Sequence, residues 1–130
     1  MDTSLFQIQS PRWLIVPYVA NILILIPVCY SLIFSGTTAG VFEGRVANSD
    51  GLRILVASLY LAIVAASIGG LFLPEFFAPI ILIQIFYKSM WLLLFIVPSL
   101  NNGVLVPAGI STTFALIVVC YPLFFWLASR

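Results

Sequence analysis

The chain has 130 residues, 63% of them hydrophobic and only 7% charged, with a formal net charge of +1 and no histidine. A soluble fold cannot cover that much apolar surface, and a chain this short holds one domain. A charge near zero gives no basic face for nucleic acid. The lack of histidine removes the usual haem ligand, the commonest zinc ligand and the commonest general base, so no cofactor, metal site or catalytic residue is expected.

Hydrophobic periodicity and run length predict an all-α integral membrane bundle of four transmembrane helices, at approximately 13–35, 52–73, 77–98 and 108–128. Four spans put both termini on the same membrane face. Met1 to Ser10 is short and polar, and Pro11-Arg12-Trp13 then reads as a helix start with Trp at headgroup level. The apolar run that follows, about 22 residues, is too long for a signal-peptide core of roughly 7–15, so the first span is read as retained. It contains Pro17, Pro27 and one strongly polar residue, Asn21.

Gly36 to Gly51 is the longest polar stretch, read as a loop that ends in the helix-start signal Asn48-Ser49-Asp50. In the second span Ser58, Ala62, Ala66 and Gly70 recur every four residues. Small side chains at this spacing let two backbones approach closely in lipid, where no hydrophobic effect drives helices together. This stripe is expected to pack, either centrally in the bundle or at a homo-oligomer seam. Pro74 to Pro79 is a tight connection holding Glu75, and Asn101-Asn102-Gly103 is a turn before the fourth span. Cys29 and Cys120 fall at depths about 12 Å apart and read as two free thiols.

The third span carries the one charge expected inside the membrane, Lys88. Counted from Phe77 it lies about 16 Å deep, near the midplane of a hydrocarbon core roughly 30 Å thick, where an ammonium costs at least about 2.5 kcal/mol. Gln84, Lys88, Trp91 and Phe95 share one helical face. No Asp or Glu lies in any span, so two readings stand. In the first, Lys88 bonds the carbonyls of Leu23 and Val118, which Pro27 and Pro122 free at its depth, together with Tyr60. In the second, it is either neutral, because burial disfavours the charge, or completed by an anion that the protein does not supply. Asn21, Gln84, Ser67 and Tyr121 form a polar belt closer to the terminal face.

Motifs of other small membrane families are missing. The first span lacks the intramembrane Glu of small multidrug exporters, and there is no C-x-x-C as in quinone-type thiol oxidoreductases. Retinal proteins use an intramembrane lysine, but with an acid counterion that this chain does not have. Ser111-Thr112-Thr113-Phe114 resembles the hydroxyl-and-Phe run of fluoride channels over four residues, without that family's Gly-rich flanks or early Arg motif, and the chain is not assigned to it.

The expected function is therefore binding or translocation of an apolar or anionic small ligand or lipid at a pocket of Lys88, Gln84, Trp91, Tyr60 and Asn21. The alternative is a non-catalytic accessory subunit of a larger membrane complex. Either way the partners are the bilayer and a second copy or another membrane chain. Orientation is a tie, with Arg12 and Arg130 on the terminal face against Arg45 and Arg53 on the other; termini in the cytoplasm are the expectation.

Overall fold

The computed structural model describes residues 8–37, 39–47 and 49–130. The expectations that rest on Met1–Gln7 and Asn48 lie outside these residues. Every described element is helical: a 3-10 turn Pro11–Leu14 leading into α1 (Ile15–Phe34), a short α2 (Ala39–Phe42), α3 (Asp50–Phe72), α4 (Pro79–Trp91), a π-helical turn Leu92–Ile96, α5 (Val97–Asn101) and α6 (Ala108–Ser129). They make four continuous apolar rods, Pro11–Phe34, Asp50–Phe72, Pro79–Asn101 and Ala108–Ser129. At about 1.5 Å per residue each is some 33–36 Å long, enough for a hydrocarbon core of about 30 Å.

The large side chains that point outward, among them Leu23, Tyr30, Phe34, Phe72, Phe86 and Val119, are apolar on all four rods. An apolar outer surface around polar buried side chains inverts the soluble pattern and defines the class: a multi-pass integral membrane protein. Both termini lie on one face, because the backbone N–H groups of Gln9 and Ser10 donate to the Ala128 carbonyl at 3.0 and 2.7 Å. On that face the Arg12 guanidinium sits over the Trp13 ring and Arg130 over Trp126, pairs suited to the headgroup level.

Local chemistry explains the helix ends. Ser49 accepts from the Leu52 N–H at 3.5 Å and starts α3. Gly36, at φ +73°, ends α1, and Arg53 then reaches back from α3 to donate to the Leu32 carbonyl while its other terminal nitrogen lies 3.5 Å from Asp50. The third rod runs three residues beyond Pro98, to Asn101. Pro98 has no N–H for the Leu94 carbonyl, and the π turn Leu92–Ile96 immediately before it re-registers the backbone so that the helix continues.

The rods pack chiefly as two pairs, α1 with α3 and α4 with α6. The α1–α3 seam closes tightest at Gly70, where a Cβ would meet the Tyr18 ring at 2.6 Å; the Tyr18 hydroxyl continues past it to the Pro74 carbonyl at 2.7 Å. Of the small-residue stripe, Gly70 is thus buried and Ala66 half-buried, while Ser58 and Ala62 face outward. The face of α3 that meets α1 is instead Ala57, Tyr60, Val64 and Ser67, one residue round the helix from the stripe. Two apolar clusters result, one around Leu25, Leu32, Ile63 and Phe114 toward the loop face, the other around Leu14, Tyr18, Ile81 and Ala128 toward the terminal face.

Candidate functional site

Between these clusters lies a polar layer to which all four rods contribute one side chain. Asn21 of α1 donates through Nδ2 to Ser67 Oγ of α3 at 2.9 Å and to Gln84 Oε1 of α4 at 2.7 Å. Its Oδ1 accepts from Gln84 Nε2 at 3.0 Å and from the Tyr121 hydroxyl of α6 at 2.5 Å. Tyr121 also reaches the Pro17 carbonyl at 3.2 Å. Asn21 and Gln84 are 1% and 0% exposed, so each amide saturates the other where water is absent. The layer is made of the belt expected from depth alone, and its geometry spends the polar atoms on one another.

Lys88 stands one helical turn beyond Gln84 on α4, 1% exposed. Its ammonium is ringed by aromatic faces, with the Phe114 centroid at 5.0 Å, Tyr87 at 5.6 Å and Tyr121 at 6.0 Å. Among the described residues Nζ has neither a hydrogen bond nor an ion pair, and the only salt bridge joins Arg53 to Asp50. The carbonyls of Leu23 and Val118 do not receive it. Pro122 faces outward, and Pro27, though exposed, borders the same cavity as the lysine without its freed acceptor receiving the ammonium. The ring faces return about 2 kcal/mol to a desolvated ammonium, less than the cost of holding it at this depth.

The lysine reaches a cavity of about 330 Å³ between α1 and α6. Its wall is apolar at the lysine end, with Leu25, Tyr60 and Phe114, and more polar toward the loop face, where Ser31, Thr113 and Glu43 line it. Glu43, at φ 56°, accepts from the Gly109 N–H in the first turn of α6 at 3.4 Å, and a Cβ on Gly40 would meet Ser31 Oγ at 2.6 Å. The segment around α2 therefore lies packed against both α1 and α6 at the loop-face end of the cavity.

Of the residues expected to share a pocket, Lys88 and Tyr60 line this cavity together. Gln84 and Asn21 sit in the layer below, committed to their mutual bonds. Trp91 is on the other side of the aromatic wall, stacked on Phe95 at 5.4 Å and edge-on to Phe114 at 5.3 Å, in a second space between α3 and α4. Tyr87 and Glu43 were not singled out from the sequence, and Phe114 only as the end of the Ser111–Phe114 run, not as a neighbour of Lys88. Tyr87 is next to Lys88 in the chain and was within reach of that reasoning. Phe114 is one of eleven phenylalanines, and its hydroxyl-rich run Ser111-Thr112-Thr113 gives no sign that its ring faces the lysine.

Comparison of the chain with protein-family models, with curated proteins and with solved structures finds no match.

Proposed function

We propose that this membrane protein binds an anionic ligand, the charged group of a small molecule or lipid, at the Lys88 ammonium, and that it does so without catalysing a reaction. The observation that carries the reading is a lysine that is 1% exposed, has no acid or carbonyl partner among the described residues, and lines a cavity of about 330 Å³. A buried charge without a counterion is one of the most costly arrangements a protein can hold, and an anion entering the cavity removes that cost. Non-catalysis rests on the groups immediately around the Lys88 ammonium, which among the described residues are aromatic rings, while the one acid on the cavity wall, Glu43, sits toward the loop face and accepts from the Gly109 N–H. We further propose that the termini face the cytoplasm, which puts the α2 segment at the loop-face end of the cavity on the opposite side.

Thermal unfolding of wild type and Lys88→Met, with acetate and then laurate titrated into each, tests this. A ligand present at a hundred times its Kd stabilises the protein that binds it by about 2.7 kcal/mol. Wild type is expected to gain that stabilisation and Lys88→Met to gain none. Equal shifts in the two proteins end the reading.

A second reading is an accessory subunit of a larger membrane complex. It is favoured by the outward-facing Ser58 and Ala62, which leave the loop-face half of the small-residue stripe off the α1–α3 seam. Recovery of the protein from the membrane only together with unrelated chains would support it.

A further inference from the structure

The second space, about 530 Å³ between α3 and α4, is a groove rather than a flat surface, and its size lies within the roughly 300–1,000 Å³ of small-molecule sites. Val56, Leu59, Ala62 and Ile63 form one bank; Ile80, Ile83, Tyr87 and Trp91 form the other. From Ile80 to Trp91 it follows α4 for about 16 Å. Tyr60 and Phe114 border both this groove and the Lys88 cavity, so two side chains are the partition between them. The Tyr87 hydroxyl is buried there without a hydrogen-bond partner, on a ring whose centre is 5.6 Å from the Lys88 ammonium.

We infer that the cavity and the groove are the head and tail lobes of one site for a single-chain anionic amphiphile of the fatty-acid class. The inference rests on the anion-binding reading of Lys88 and adds to it the occupant's shape. A cation beside an apolar channel is complementary to a carboxylate joined to an acyl chain. The groove is one channel with a single cation near it, which suits one chain and one charge rather than a two-chain phospholipid. Its position, along the length of α4 and open to the surrounding hydrocarbon, gives a chain lateral entry from the bilayer.

The tail is already in hydrocarbon before it binds, so the groove contributes packing rather than transfer out of water. Chain-length trends therefore report partitioning, and the decisive comparison is between variants in the same bilayer. Trp13→Phe and Trp126→Phe leave Trp91, on the groove wall, as the single fluorophore. In nanodiscs of zwitterionic lipid, bromostearate is expected to quench Trp91 saturably, whereas a brominated phosphatidylglycerol quenches it only in proportion to its concentration. Val56→Phe and Ile83→Phe, which fill the groove from opposite banks, are expected to weaken the saturable quenching about tenfold, the scale of an overpacked contact. Both should keep the acetate-induced stabilisation of wild type.

Unchanged bromostearate quenching in both groove-filling variants overturns the bipartite site, and so does saturable quenching by the phospholipid. If acetate stabilises wild type but not Lys88→Met while bromostearate quenching never saturates, the anion site stands and the tail lobe falls. If Lys88→Met matches wild type in both measurements, both readings fall together.

Discussion

Replacing Asn21 with Leu should be among the most damaging single changes in the protein. The structure gives the size of the effect. Asn21 takes part in four side-chain hydrogen bonds, with Ser67, with Gln84 twice and with Tyr121. Interhelical bonds in membranes average about 0.6 kcal/mol, which sets a floor of about 2.4 kcal/mol for the four. Tyr121 keeps the Pro17 carbonyl, but Gln84, 0% exposed, loses every side-chain partner recorded for it, and an orphaned buried amide costs about 1–3 kcal/mol. The expected loss is about 3–5 kcal/mol. The double variant Asn21→Leu/Gln84→Leu removes the orphan together with its partner, so it should cost well under the sum of the singles, with a coupling of at least about 1 kcal/mol. Reversible unfolding in mixed micelles, followed by circular dichroism against added sodium dodecyl sulfate, measures all three. Single variants that add within about 0.5 kcal/mol, or an Asn21→Leu as stable as wild type, would refute the claim that this layer holds the four rods in register.

Three other expectations follow from particular contacts. Gly70→Ala drives a Cβ into the Tyr18 ring and should destabilise the protein by about 1–3 kcal/mol, whereas Gly51→Ala, with open space around it, should cost much less; melting temperatures separate the two. Ser58→Leu adds bulk to an outward face and should leave the melting temperature of the monomer unchanged, but should shift elution to a smaller species if that face joins two copies; unchanged elution would remove the loop-face half of the stripe from any homo-oligomer seam. Two lysines inserted after Met1 should raise the fraction with termini in the cytoplasm and two beside Ser49 should lower it, as read by reporter fusions at Arg130, since Arg12 and Arg130 balance Arg45 and Arg53; an unmoved ratio would mean that something other than these charges sets orientation.

Much of the site was legible because a membrane makes depth a one-dimensional coordinate. With helices rising about 1.5 Å per residue through a slab about 30 Å thick, counting from each span's end places Asn21, Gln84, Ser67 and Tyr121 near one level, and that level is where they bond. Lys88 stood out for the same reason, as a charge with no acid at its depth. Counting does not give azimuth. Pro122 does lie near the depth of Lys88, yet faces outward, Pro27 reaches the same cavity without its carbonyl partner bonding the ammonium, and Trp91, on the same helical face as Lys88 by spacing, is drawn to Phe42, Phe95 and Phe114 on the far side of the aromatic wall.

By itself the sequence determined the number of spans, the shared face of the termini and the levels of the polar groups, because lipid cannot solvate a broken backbone or a stray charge and so ties composition directly to position along the membrane normal. Only the tertiary structure decided which rods pair, which half of the small-residue stripe is buried, and that the ammonium meets three rings and a cavity instead of two carbonyls. Those outcomes depend on how each rod is rotated about its own axis. Rotation is set by side-chain packing between helices far apart in the chain, such as Tyr18 over Gly70 and Asn21 against Gln84, and such packing leaves no periodic mark in the sequence of either partner.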